Sequence, residues 1–154
     1  MKPMEIERKY LPLDLPANLN DYKCHKIEQA YLNTAPVVRI RKQDDEYFLT
    51  YKGGGMMARE EYNLPLNEKS YYHLREKADG NIITKTRFLI PLEDGHTAEL
   101  DIFEGKFAGM LLVEVEFSSI EDANSFVPPK WFGKDVTNDG HYHNCLLYTS
   151  DAAD

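Results

Sequence analysis

The residues that could do chemistry come as same-sign pairs two positions apart: Arg39 with Arg41, Lys85 with Arg87, Glu99 with Asp101, and Glu114 with Glu116. A further run, Glu5, Glu7 and Lys9, has the same spacing. In an extended strand alternate side chains point to one face, so each pair makes a patch of one charge. On a single strand such charges are ordinarily the solvated side of a half-buried sheet; what sets these apart is repetition with one sign per strand. Two like charges at ~4 Å cost on the order of 4 kcal/mol at an effective dielectric near 20, so the arrangement needs a bound partner. Clustered carboxylates suit hard divalent cations, and clustered Arg and Lys suit phosphate. Together they point to a polyanion bridged to carboxylates by Mg²⁺ or Mn²⁺.

Positioning these groups requires strands. Residues 4–10, 22–32, 36–42, 46–52, 82–90, 97–103 and 110–117 carry alternating or β-branched and aromatic patterns, and residues 56–62 look like another strand. Val38 and Ile40 oppose the arginines, Ala98, Leu100 and Ile102 oppose Glu99 and Asp101, and Val113, Val115 and Phe117 oppose the two glutamates. Residues 11–20, with Pro12 and Pro16, read as a connector with at most a helical turn near 15–19. Gly53-Gly54-Gly55 reads as a hairpin loop, because a phosphate-cradling loop would open a helix. Residues 67–78 predict a helix ended by Asp79-Gly80, and Ser118 or Ser119 caps a short one that Pro128-Pro129 stops. The result is a mainly β chain of about eight antiparallel strands with two or three short helices. The pattern fits an open sheet with its charged face in water, and equally a closed barrel with the charges inside and helices over its apolar outer wall.

Composition limits what the pattern can mean. A chain of 154 residues with 42% hydrophobic content is one globular domain. The formal charge of −8, from 18 basic and 26 acidic residues, argues against nucleic-acid or anionic-membrane partners. No apolar run approaches membrane-spanning length, and no apolar stretch precedes the first strand, so a cytoplasmic location is expected. Cys24 and Cys145 read as free thiols, and His141 with His143 as incidental.

Glu5-Ile6-Glu7-Arg8-Lys9 fits the Glu-x-Glu-x-Lys signature of the CYTH superfamily, the triphosphate tunnel metalloenzymes. The resemblance extends through Gln29-Ala30-Tyr31-Leu32, Arg39-Ile40-Arg41, Thr50-Tyr51-Lys52-Gly53, Arg59-Glu60-Glu61-Tyr62, Lys85-Thr86-Arg87, Glu99-Leu100-Asp101 and Val113-Glu114-Val115-Glu116-Phe117. It continues from Pro128-Pro129-Lys130-Trp131 through Asp135-Val136-Thr137. It implies an eight-stranded antiparallel tunnel that hydrolyses or rearranges triphosphates with a divalent metal, Mg²⁺ or Mn²⁺. Carried over by residue, Glu5, Glu7 and Glu116 look like metal ligands, with Glu114 and Asp101 assisting directly or through water. Lys9, Arg39, Arg41, Lys52, Arg59 and Arg87 look like the phosphate clamp.

For the attacking water, Lys85 is the expected base, since neighbouring cations such as Arg87 disfavour its ammonium form. Tyr31 shares the role by resemblance to bacterial members that pair Lys with Tyr. A short single-domain chain favours inorganic triphosphate as substrate; thiamine triphosphatase, adenylyl cyclase and a non-catalytic polyphosphate- or nucleotide-binding module are the alternatives. A homodimer is left open. The domain is expected to span residues 1–144. Residues 145–154 look like the translation of a sequencing-library adapter, implying a chain truncated near Asn144 and a disordered, non-native tail.

Overall fold

The structure, a computed structural model, describes residues 3–142. Nine strands and two short helices follow in the order β1 (Met4–Pro12), β2 (Cys24–Thr34), β3 (Val37–Gln43), β4 (Glu46–Lys52), β5 (Ala58–Leu66), α1 (Glu68–Arg75), β6 (Asp79–Pro91), β7 (Thr97–Glu104), β8 (Leu111–Glu116), α2 (Ile120–Ser125) and β9 (Phe132–Asp135). Eight antiparallel strands run in spatial order β5-β4-β3-β2-β6-β7-β8-β1, and pairing of β1 with β5 closes the ring. This decides between the two sheet arrangements in favour of the barrel. The ninth strand is an addition: β5 pairs with the first part of β1, Met4 to Ile6, and β9 pairs with the same edge further along, at Tyr10 and Pro12.

The apolar faces form the outer wall. Leu100, Val113, Val115 and Tyr10 pack beneath Ala123 and Phe126 of the α2 region and beneath Phe132, while Ala30 and Ile40 pack under Tyr71 of α1. α2 starts behind Ser119, one of the two expected caps, and α1 behind Asn67, where the sequence predicts the helical segment to begin. Asn67 Oδ1 accepts from the Ser70 N–H at 2.7 Å, and Ser119 Oγ accepts from the Asp122 N–H at 3.0 Å. Inside, one end of the barrel is filled by an apolar layer of Val37, Ile83, Phe103, Leu112 and Val136 with Tyr31. Its members on β6, β7 and β8 stand two positions from Lys85, Asp101 and Glu114, so the same inward faces change from apolar to charged along the barrel.

Several boundaries differ from the sequence reading. α1 ends at Arg75, and Asp79-Gly80 opens β6 instead of capping the helix. Gly80 has φ 74° within a register shift, where Gln29 faces Ile83 but Tyr31 faces Asp79, so its conformational freedom serves a bulge. β1 continues to Pro12, whose missing N–H is tolerated at the end of the ladder beside Phe132. The short helical turn lies at Leu19–Asp21, later than expected. The triple glycine does join β4 to β5, and a Cβ on Gly55, at φ +125°, would lie 2.3 Å from the Ala58 carbonyl oxygen. Cys24 is an exposed free thiol, and His141 sits in a terminal turn; Cys145, His143 and the expected tail lie outside the described residues.

Candidate active site

Closing the sheet turns the charged faces into the walls of one cavity of about 330 Å³. Glu5 and Glu7 reach it from β1 and Glu116 from β8, where Glu116 is the register partner of Glu7. One carboxylate oxygen from each of the three lies within 4.8 Å of the others. Burial pushes the Glu7 carboxyl well above the usual range, and Glu114 adds to the effect. Glu116 is pushed up to about 7 by burial, with Glu99 and Glu5 contributing. Burial would raise Glu5 too, but Lys52, with Nζ at 2.9 and 3.1 Å from its two oxygens, and a hydrogen bond from Glu61 together bring it to about 2. Three converging oxygen donors that repel one another suit a hard divalent cation, which would relieve the repulsion.

All six expected clamp residues, Lys9, Arg39, Arg41, Lys52, Arg59 and Arg87, line the same cavity. Their existing partners differ. Lys9 pairs with Glu7 at 3.4 Å, Lys52 with Glu5 and with Glu61 at 3.2 Å, and Arg59 with Glu5 at 3.7 Å. Arg87 binds both oxygens of Asp101, at 2.8 and 2.9 Å, and reaches Glu99 at 3.3 Å and Glu114 at 3.5 Å. Arg41 instead donates to the neutral amide oxygen of Gln29, at 3.1 and 2.8 Å. Burial, with Arg39 and Arg87 nearby, pulls the Arg41 guanidinium down to about 9. Arg39 Nε is buried with no hydrogen-bond partner among the described residues. Two crowded guanidiniums of this kind fit an anionic ligand better than an empty cavity.

The remaining expected residues divide by depth. Tyr31 lines the cavity, and its hydroxyl oxygen accepts from Gln29 Nε2 at 3.3 Å. Glu114 also lines it, outside the three-carboxylate group, and despite burial is held well below the usual carboxylate range by Lys9, Arg87 and Lys85. Lys85 and Asp101 lie behind the wall, each 0% exposed, with Lys85 Nζ 2.7 Å from Asp101 Oδ2. The Asp101 oxygens are thus engaged by Lys85 and Arg87 rather than by the metal-ligand group. Burial above all brings Lys85 down to about 7, with Arg87 assisting and Asp101 opposing. The sequence reading credited the neighbouring cations, but the dominant cause is position beneath the surface.

Residues of the site that lay outside the sequence-based reading include Gln29, behind the Arg41 guanidinium, and Glu61, Thr50 and Asn63 in the cavity wall. Thr50 Oγ1 donates to Asn63 Oδ1 at 2.6 Å. Strand parity would have found them, since each stands two positions from an expected site residue or faces one that does.

An antiparallel barrel whose interior sets a carboxylate cluster against a cationic wall defines a class of metal-assisted, polyanion-binding proteins. The CYTH domain profile matches residues 3–127, and the chain belongs to that family. It is 39% identical over 151 residues to the inorganic triphosphatase of Nitrosomonas europaea, covering 95% of this chain and 97% of that one. The inorganic triphosphatase of Acetivibrio thermocellus is 30% identical over 148 residues, covering 93% and 92%. A crystal structure of an inorganic triphosphatase superposes with a TM-score of 0.71 at 37% identity, over 95% of each chain. A conserved hypothetical protein of Pyrococcus furiosus shares the fold at 23% identity, with a TM-score of 0.55 over 78% of this chain and 82% of that one.

Proposed function

We propose that this protein hydrolyses the terminal phosphoryl group of inorganic triphosphate inside its barrel, with Mg²⁺ or Mn²⁺ as cofactor. The observation that carries the reading is the division of one cavity between the Glu5, Glu7 and Glu116 carboxylates and six cationic side chains. Two relatives that are named inorganic triphosphatases and align over nearly their whole length support it.

Glu5, Glu7 and Glu116 would hold the cation, with Glu114 beside them. A bound cation supplies Lewis-acid polarisation of phosphoryl oxygens. Lys9, Arg39, Arg41, Lys52, Arg59 and Arg87 grip the phosphates and stabilise negative charge as it moves onto the leaving diphosphate. Water attacks the terminal phosphorus in line; one P–O bond forms, the bridging P–O bond breaks, and orthophosphate and diphosphate leave. Lys85 and Tyr31 would share the role of base: Tyr31 lines the cavity and would meet the water, and Lys85, behind the wall and at about 7, has a neutral form at physiological pH that would take up the proton passed inward. Asp101 stabilises the ammonium that Lys85 becomes on taking the proton.

Among the described residues no helix is long and apolar enough to cross a membrane. The net charge of −8 supports action on a small molecule rather than on nucleic acid or a membrane surface, and we infer that the protein works in the cytoplasm. Phosphate release from inorganic triphosphate, ATP and thiamine triphosphate, each with Mg²⁺, Mn²⁺ or chelator, tests the reading. Metal-dependent turnover fastest on inorganic triphosphate is expected. Equal or faster turnover of either organic triphosphate would overturn the substrate assignment, and binding without release would favour a non-catalytic module.

A further inference from the structure

Gln29 is a neutral residue, 0% exposed, placed between two groups of the site. It is the register partner of Arg41 across the β2–β3 ladder, and Tyr31 follows two positions later. Its amide can be oriented in only one way. A guanidinium has donors and no acceptor, so the amide oxygen must face Arg41, where it accepts from Nε at 3.1 Å and Nη2 at 2.8 Å. The NH₂ end is thereby turned to Tyr31 and donates to its hydroxyl oxygen at 3.3 Å. Two consequences follow. Two of the five guanidinium N–H donors go to Gln29, which sets the plane in which the other three meet a phosphate. The Tyr31 oxygen receives an N–H on that side, so its own proton is directed away from Gln29.

We propose that Gln29 is a positioning residue that couples the phosphate grip of Arg41 to the orientation of the Tyr31 hydroxyl, so that both are preset before substrate enters. This rests on the reading above in which Arg41 binds phosphate and Tyr31 shares the base role. A carboxylate at this place would hold Arg41 more strongly but could offer Tyr31 no N–H, and an aliphatic side chain would serve neither. Glutamine is suited to both because it is an acceptor at one end and a donor at the other.

The test is steady-state kinetics on inorganic triphosphate with Mg²⁺ for the full chain, Gln29→Met, Gln29→Glu, Tyr31→Phe and the Gln29→Met/Tyr31→Phe double variant, each with a melting temperature. Gln29→Met should raise KM about tenfold and lower kcat about tenfold, as loss of a charge-assisted hydrogen bond and of preset geometry would do. Gln29→Glu, which keeps the acceptor and loses the donor, should lower kcat to a similar extent. In the Tyr31→Phe background Gln29→Met should lower kcat by less than about twofold further while its effect on KM persists, the signature of action through a shared partner. Should Gln29→Met fail to fold, Gln29→Glu in the same two backgrounds carries the same kcat comparison. Normal kinetics in the Gln29 variants beside a slow Tyr31→Phe would overturn the proposal alone, as would kcat losses that multiply in the double variant. Wild-type kcat in Tyr31→Phe is a different failure: it removes the base reading, and the proposal falls with it.

Discussion

The arginines of β3 and the arginine of β6 look alike in the sequence, yet they live in opposite surroundings. Arg87 is satisfied by three carboxylates, those of Asp101, Glu99 and Glu114. Arg39 and Arg41 crowd each other, one leaning on a neutral amide and the other with an unsatisfied Nε. A buried cation surrounded by carboxylates holds structure together, whereas buried cations that lack them are held ready for an anion from outside. The cationic wall is therefore not uniform: Arg87 braces the barrel as well as lining the cavity, whereas Arg39 and Arg41 have no carboxylate partner among the described residues.

The largest effect expected from this contrast is on stability. Arg87→Ala leaves three buried or half-buried carboxylates without their common cation and should destabilise the fold by about 3–5 kcal/mol, measured by denaturant unfolding. Arg41→Ala and Arg39→Ala should do the reverse: they relieve like-charge crowding, so the melting temperature holds or rises. Each should lower kcat/KM on triphosphate by roughly 10- to 100-fold, the worth of a charge-assisted hydrogen bond. A β3 variant that unfolds, or an Arg87 variant that does not, breaks the comparison.

The next expected effect concerns pH. Lys85 sits behind Arg87 with a folded pKa of about 7, so kcat should fall as pH drops through that value and the ammonium form takes over. Lys85→Met should lose both most of the turnover and that acid limb; keeping the limb would assign it to another group.

The smallest effect lies outside the barrel, where a cation also sits between two acids but in contact with water. His96 Nδ1 is 2.8 Å from Asp94 and Nε2 is 3.1 Å from Asp122 of α2, and hydrogen bonds to Asp122 and then to Asp94 raise its pKa. Because the folded value is raised, the stabilisation is fully present below the unfolded value near 6.5 and is lost as pH rises through the folded one. His96→Gln should lower the melting temperature at pH 6 and have little effect at pH 9. Solvent screening makes this effect smaller than that of Arg87.

How far the sequence could be read follows from what period-two alternation encodes. It encodes the face, and Glu5, Glu7, Lys9, Arg39, Arg41 and Arg87 all reach the cavity that strand parity assigns them. It does not encode depth: Lys85 and Arg87 share a face two residues apart, but only Arg87 lines the cavity, because the apolar layer around Phe103 and Leu112 starts beside Lys85. Nor does it encode partners across strands, so nothing local marks Arg87 as satisfied or Gln29 as the support of Arg41. Elements without a periodic signal were also lost. β9 has four residues, including Gly133, and its pairing with β1 depends on a long-range contact. Gly80 reads locally as a helix stop and acts as a bulge because β2 lies beside it.

The most direct test of the divided cavity is Glu7→Gln, assayed for phosphate release from inorganic triphosphate with Mg²⁺ alongside its melting temperature. Burial and Glu114 oppose ionisation of the Glu7 carboxyl, so the fold should accept a neutral amide of the same shape. The account predicts an unchanged or higher melting temperature together with a loss of turnover of at least about 100-fold. Turnover within about twofold of the parent chain would contradict it.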